Sequence, residues 1–197
     1  MNVSARARGL ALFGFAATGL AGCSSLLMDN PNEVGDAYRV EPQIEWSRQQ
    51  GYKLQIWTVD GPLLEQLRLY ANIEEGDRLL PTTRTQAGSW QGGHWPEYRQ
   101  GMRAHDVMEL VTATLQQSGS VDVVAKRLRP AEFGGRPGFR FELRFESENG
   151  LAYQGRAMGI ITEDERLHLI LYLGAQPYYF GAYEAIVQRI LDSVILL

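Results

Sequence analysis

The residues of this chain that could do chemistry are few and scattered. Cys23 is the single cysteine, and a thiol is a strong nucleophile once its proton is lost. His94, His105 and Asp106 bring two imidazoles and a carboxylate to one stretch, a set that could bind a metal or transfer protons. Trp90, His94, Trp95 and Tyr98 gather flat amphipathic rings beside Gly92 and Gly93, which suits contact with a sugar, a peptide or a partner protein. The spacing between His94 and His105 matches no ligand pattern. His105-Asp106 also stands where a helix should begin, so Asp106 is expected to cap backbone amides and His105 to face solvent. His168 alternates with Leu167 and Leu169 and is expected on the polar face of a strand. Arg127, Arg129, Arg136, Arg140 and Arg144 partly alternate along two neighbouring strands; they could line a face toward anionic groups such as lipid phosphates, or a solvated one. The chain contains no nucleophile elbow, phosphate loop, zincin pair or dinucleotide fingerprint.

The surroundings of Cys23 give it a specific chemistry. Arg6 and Arg8 form a positive start, Leu10 to Leu20 an apolar middle, and Ala21-Gly22 the small residues of a cleavage site. Leu20-Ala21-Gly22-Cys23 reads as a lipobox. The apolar run from Gly9 to Gly22 is broken by glycines and is shorter than the roughly 20 residues a membrane helix needs. In this order the segment resembles the leaders of bacterial lipoproteins. The resemblance implies cleavage before Cys23 after its sulfur is diacylated, with the new amino terminus acylated in turn, palmitate being the kind of chain expected. Ser24, a non-acidic residue after the cysteine, implies transfer to the outer membrane. One acyl chain binds a bilayer only marginally, whereas two or three hold it stably.

Removing residues 1–22 removes two arginines and no acid, so the formal charge of −4 becomes −6 for a mature chain of 175 residues. That length suits one domain. An acidic chain without a basic run offers no electrostatic footprint for nucleic acid. The excess of 17 arginines over 2 lysines reads as genomic base-composition bias. With Cys23 used by lipid, no thiol remains for a disulfide or a zinc site, so no cofactor is expected and the fold must stand on its core.

The elements that would position these groups follow from the apolar patterning. Residues 24–42 mix turn formers with little periodicity and read as a flexible tether. Ile44 to Trp46 and Leu54 to Thr58 read as strands joined around Gln50-Gly51, with a turn at Asp60-Gly61-Pro62. Leu67, Leu69, Ala71 and Ile73 alternate as a third strand, although Leu63, Leu64 and Leu67 could open a helix instead. Residues 76–93 form a long loop leading to the aromatic cluster. Val107, Leu110, Val111, Thr114 and Leu115 fall at helical spacing, and Gly119 ends that helix. Four strand-like runs follow, Val121 to Arg129, Gly138 to Ser147, Leu151 to Ile161 and Arg166 to Leu173. They are separated by turns that include Asn149-Gly150, where both residues could adopt positive φ, and Glu163-Asp164-Glu165. Tyr183, Ile186, Val187, Ile190, Leu191 and Val194 mark a closing helix. Strands in runs with inserted helices argue an α+β fold, an antiparallel sheet packed against helices.

This order of elements resembles the PsbP-like fold. The features that carry the resemblance are Met108-Glu109-Leu110-Val111 in the first helix, the meander from Phe139 to Leu173, and Tyr178-Tyr179-Phe180 with Ile190-Leu191-Asp192-Ser193 at the close. The expected organisation is a signal peptide over 1–22, the lipidated Cys23 and tether over 23–42, and one PsbP-like α+β sandwich over 43–197. The family serves mainly as binding and assembly factors, so the resemblance implies a non-catalytic accessory module in the periplasm, held to the membrane through Cys23 and meeting an envelope protein. Trp90, His94, Trp95 and Tyr98 are its expected contact surface, the alternative being that Trp95 and Tyr98 plug the sheet edge where the loop enters the helix. Two other functions remain open from the sequence: a histidine-dependent hydrolase or metal-dependent enzyme centred on His94, His105 and Asp106, and a carrier of a lipid or small hydrophobic ligand between sheet and helix.

Overall fold

Leu167–Ala175 is the most uniformly apolar strand of the chain, and all nine of its residues are buried. A strand buried on both faces must lie inside a sandwich. The computed structural model describes residues 25–27, 31–80 and 95–197, and among these the strand is central to an eight-stranded antiparallel sheet. In chain order the strands of that sheet are β1 (Ser25–Leu27), β4 (Trp46–Gly51), β5 (Leu54–Thr58), β6 (Glu65–Ile73), β7 (Val121–Phe133), β8 (Arg136–Glu146), β9 (Ala152–Ile161) and β10 (Leu167–Ala175). Their spatial order is β1-β4-β5-β6-β10-β9-β8-β7. Alternation then sorts side chains into two cores. Ile170 and Tyr172 share one with Trp57, Leu69 and Ile160; Leu169 and Leu171 share the other with Tyr70, Phe139 and Phe141.

Each core is closed by a helix. Helix α1 (Ala104–Gln117) buries Val107, Leu110, Val111, Thr114 and Leu115, the stripe expected from their spacing. Its first turn is fixed by Asp106, whose Oδ2 accepts the Arg103 N–H at 2.7 Å. Helix α2 (Tyr179–Asp192) buries Phe180, Val187, Ile190 and Leu191 on the opposite face of the sheet, each such side chain contributing roughly 1.5–3 kcal/mol. A Cβ at Gly174 would sit 2.6 Å from the Cα of Phe180, so the absence of a side chain in β10 lets α2 begin directly on the strand. The result is the α+β sandwich expected, with antiparallel strands packed against two helices.

The structure corrects the tether. Residues 32–34 and 38–40 form strands β2 and β3, which join β11 (Ile195–Leu196) in a second sheet of order β11-β3-β2. Val34, Tyr38 and Val40 are buried in the α2-side core. Tyr38 donates its hydroxyl to the Tyr70 carbonyl at 3.1 Å and meets Phe133 edge-on at 5.3 Å. The domain therefore begins before residue 43; three-residue strands around Gly35-Asp36-Ala37 are too short to show a period in the sequence. Residues 1–24, Cys23 included, lie outside the described residues.

Turns follow the sequence with small shifts. Gly51 pairs with Leu54, so the β4–β5 turn is Tyr52-Lys53, one pair beyond the expected Gln50-Gly51, with Lys53 at φ 52°. At the β8–β9 and β9–β10 turns the third loop residue is left-handed, Gly150 at φ 77° and Glu165 at φ 58°. Asn149 does not share that conformation, so the loop is a three-residue connection rather than a two-residue one with both φ positive. The stretch after Pro62 is strand β6, not a helix.

The β5–β6 connection depends on one buried acid. Glu65 is fully buried, and its Oε1 accepts the Thr58 hydroxyl at 2.7 Å and the Val59 and Asp60 amides at 2.5 and 2.9 Å. Replacing it strands those donors, so Glu65→Ala is expected to lower unfolding free energy by about 3 kcal/mol. Urea denaturation would measure this, and an unchanged midpoint would refute the assigned role.

Candidate functional site

The expected contact surface falls where the chain returns to the sheet before α1. Tyr98 exchanges backbone bonds with residues 76 and 77: Gly76 N–H donates to the Tyr98 carbonyl and Tyr98 N–H to the Asp77 carbonyl, each at 2.9 Å. Arg78 reinforces the return through Glu97, with Nη2 2.7 Å from Oε1. Tyr98 then turns inward. Its ring is fully buried in the α1-side core, and its hydroxyl donates to the Glu165 carbonyl at 3.0 Å. Burial raises its pKa above the ordinary 10.0, so the donor persists across physiological pH. Tyr98 is thus a plug at the sheet, not a contact residue, which corrects its place in the expected surface. Trp90 and His94 lie outside the described residues.

Trp95 lies at the surface. It is half-buried and lines an open groove of about 590 Å³ between the 95–102 segment and α1. Met102, Leu110 and Ala113 share the lining, and Arg99 and Glu109 add charges of both signs. A half-buried indole beside apolar floor and charged rim suits a protein side chain better than a small polar molecule. Met102 and Ala113 were not foreseen; the available signal was Ala113 four residues after Glu109 on one helix face, where a small side chain leaves room beside Trp95.

The histidines are not brought together among the described residues. His105 is exposed on the first turn of α1, its Nδ1 3.6 Å from Glu109 Oε1, while Asp106 performs the expected capping. His105, Asp106 and Glu109 offer ligand atoms within 4.8 Å of one another, a cluster at a solvated helix end. His168 does not reach the polar face: it is buried, 5.9 Å from the Tyr38 ring, and its Nδ1 accepts the Asn72 N–H at 3.1 Å. Desolvation lowers its pKa to about 4.

The arginine face is solvated and of mixed sign. Arg127, at φ 58° in an irregularity of β7, pairs with Glu142 at 3.0 Å, and Arg129 stands opposite Arg140. A groove of about 680 Å³ there is lined by Asp122, Glu142 and Glu146 as well as Lys126 and Arg144, so it presents no concentrated positive field.

No protein-family model matches the chain, and no curated protein does. Among solved structures it is similar to the solution structure of cyanobacterial PsbP (CyanoP) from Synechocystis sp. PCC 6803, with a TM-score of 0.54 at 13% identity. The match covers 92% of this chain and 98% of that one. The fold is therefore PsbP-like.

Proposed function

We propose that the protein is a lipid-anchored accessory module of the bacterial cell envelope, held by Cys23 at the outer membrane and binding an envelope protein through the groove at Trp95. The observation that carries this reading is the groove itself, with its half-buried indole, apolar floor of Met102, Leu110 and Ala113, and mixed-charge rim. The PsbP-like fold supports it, since that family serves mainly in binding and assembly, and the lipobox supplies the address. Among the described residues, Asp106 caps a helix, His168 makes a buried hydrogen bond and His105 forms an exposed ion pair, so these three are not gathered into one site.

The anchor is tested by the mass of the mature protein extracted from membranes. A chain beginning at Cys23 and heavier than its peptide by a diacylglyceryl group and a further acyl chain is expected, and Cys23→Ala should abolish both processing and acylation. An unmodified Cys23 would contradict it. The groove is tested by Trp95→Ala, which should weaken partner binding by about 2 kcal/mol, about 30-fold, as central aromatic anchors do, in a variant whose circular dichroism shows the fold retained.

A further inference from the structure

The direction of β1 fixes which end of the domain a lipid on Cys23 would hold against the bilayer. Ser25 pairs with Arg48, Leu26 with Ser47 and Leu27 with Trp46. Followed back from Leu27 to Ser25, the chain therefore runs along β4 in the direction of Gly51, so Ser25, opposite Arg48, is directed toward the end that carries the Tyr52-Lys53 turn. Only Ser24 stands between Cys23 and Ser25, so the two Cα atoms are at most about 7 Å apart. An acylated cysteine sits at the headgroup boundary, and the headgroup layer is itself roughly 5–8 Å thick on each side of the hydrocarbon. So short a link cannot stand the domain off the membrane.

The turn presented at that end is suited to such a surface. Tyr52 is 79% exposed at the tip, a large ring with a polar end, the kind of side chain that partitions to membrane interfaces. Beside it the Lys53 ammonium lies 5.4 Å from the Tyr52 ring centroid and is neutralised by Asp77 at 2.7 Å and Glu74 at 3.3 Å. Among the described residues the tip thus offers an aromatic ring beside a neutralised lysine, which fits a zwitterionic headgroup layer. We infer that the Tyr52-Lys53 turn is the membrane-facing tip of the domain, Tyr52 resting among lipid headgroups while the β5–β6 end points away. This rests on the lipid anchor at Cys23.

The test uses full-length protein acylated in cells and reconstituted into phosphatidylcholine vesicles. Acylation blocks the only native sulfhydryl, so a nitroxide can be placed singly through Tyr52→Cys or through Leu63→Cys. Leu63 is also 79% exposed and lies at the opposite end of β5. The label at 52 should lose most of its collisions with a water-soluble nickel chelate relative to the label at 63. Equal accessibility, or greater protection at 63, in protein whose mass shows an acylated Cys23 would overturn the orientation and leave the anchor standing. A mass showing unmodified Cys23 would overturn both.

Discussion

Acidification from pH 6.5 toward pH 4 is expected to remove roughly 3 kcal/mol of stability through His168 alone. The imidazole is buried, and desolvation, the largest influence, lowers its pKa from 6.5 to about 4, with Asp164 opposing and Arg166 assisting. Its Nδ1 accepts the Asn72 N–H, a bond available only while that nitrogen is unprotonated. In the window between these values the unfolded chain binds a proton that the folded chain refuses. The contribution is therefore fully present above pH 6.5 and lost as pH falls toward 4. Asp164, held below its usual carboxylate range first by the Thr162 hydroxyl, adds acid sensitivity of the same sign. Urea unfolding of the native protein and of His168→Gln across this window isolates the histidine, because the carboxylates are common to both. Converging stabilities as pH falls are expected; parallel profiles would show that His168 is not kept neutral by the fold.

The second large effect concerns residues 31–42, which look dispensable in the sequence. Tyr38 is fully buried between Phe133 and the β6 backbone, so Tyr38→Ala should cost about 3–5 kcal/mol, the range for truncating a large buried ring. Deleting residues 31–42 removes Val34 and Val40 as well and leaves β11 without its partner strand. Since a domain of this kind holds only about 5–15 kcal/mol in total, the deletion is expected to abolish cooperative unfolding. A protein lacking residues 31–42 that still unfolds in one sharp transition would show the small sheet to be ornamental.

These two effects also mark where sequence patterning stops being informative. The helical stripes of α1 and α2 and the meander from β8 to β10 were legible because each repeats its period several times. Strands β2 and β3 give only one alternation each, and they are buried against distant parts of the chain, Phe133, the β6 backbone and the face of α2. Alternation puts His168 on the face opposite Leu167 and Leu169 but does not make that face polar, because the strand is covered on both sides. The glycines and aromatics before Tyr98 leave contact surface and sheet-edge plug both open, and what decides between them is the Glu165 carbonyl that accepts its hydroxyl, a partner that no local pattern announces. Within the candidate site, Trp95 was visible by residue type, but the groove that gives it a use exists only once α1 lies beside the 95–102 segment.

The central claim is that an anchored domain meets a protein partner through this groove. A photo-reactive residue introduced at Gln100, on the groove, in the full-length lipidated protein in living bacteria tests it most directly, with the same residue at the exposed Arg189 on α2 as control. A discrete protein adduct from position 100, absent from position 189 and lost with Trp95→Ala, is the predicted result. Adducts that are the same from both positions, or none from position 100 while the protein is acylated and folded, would contradict the account.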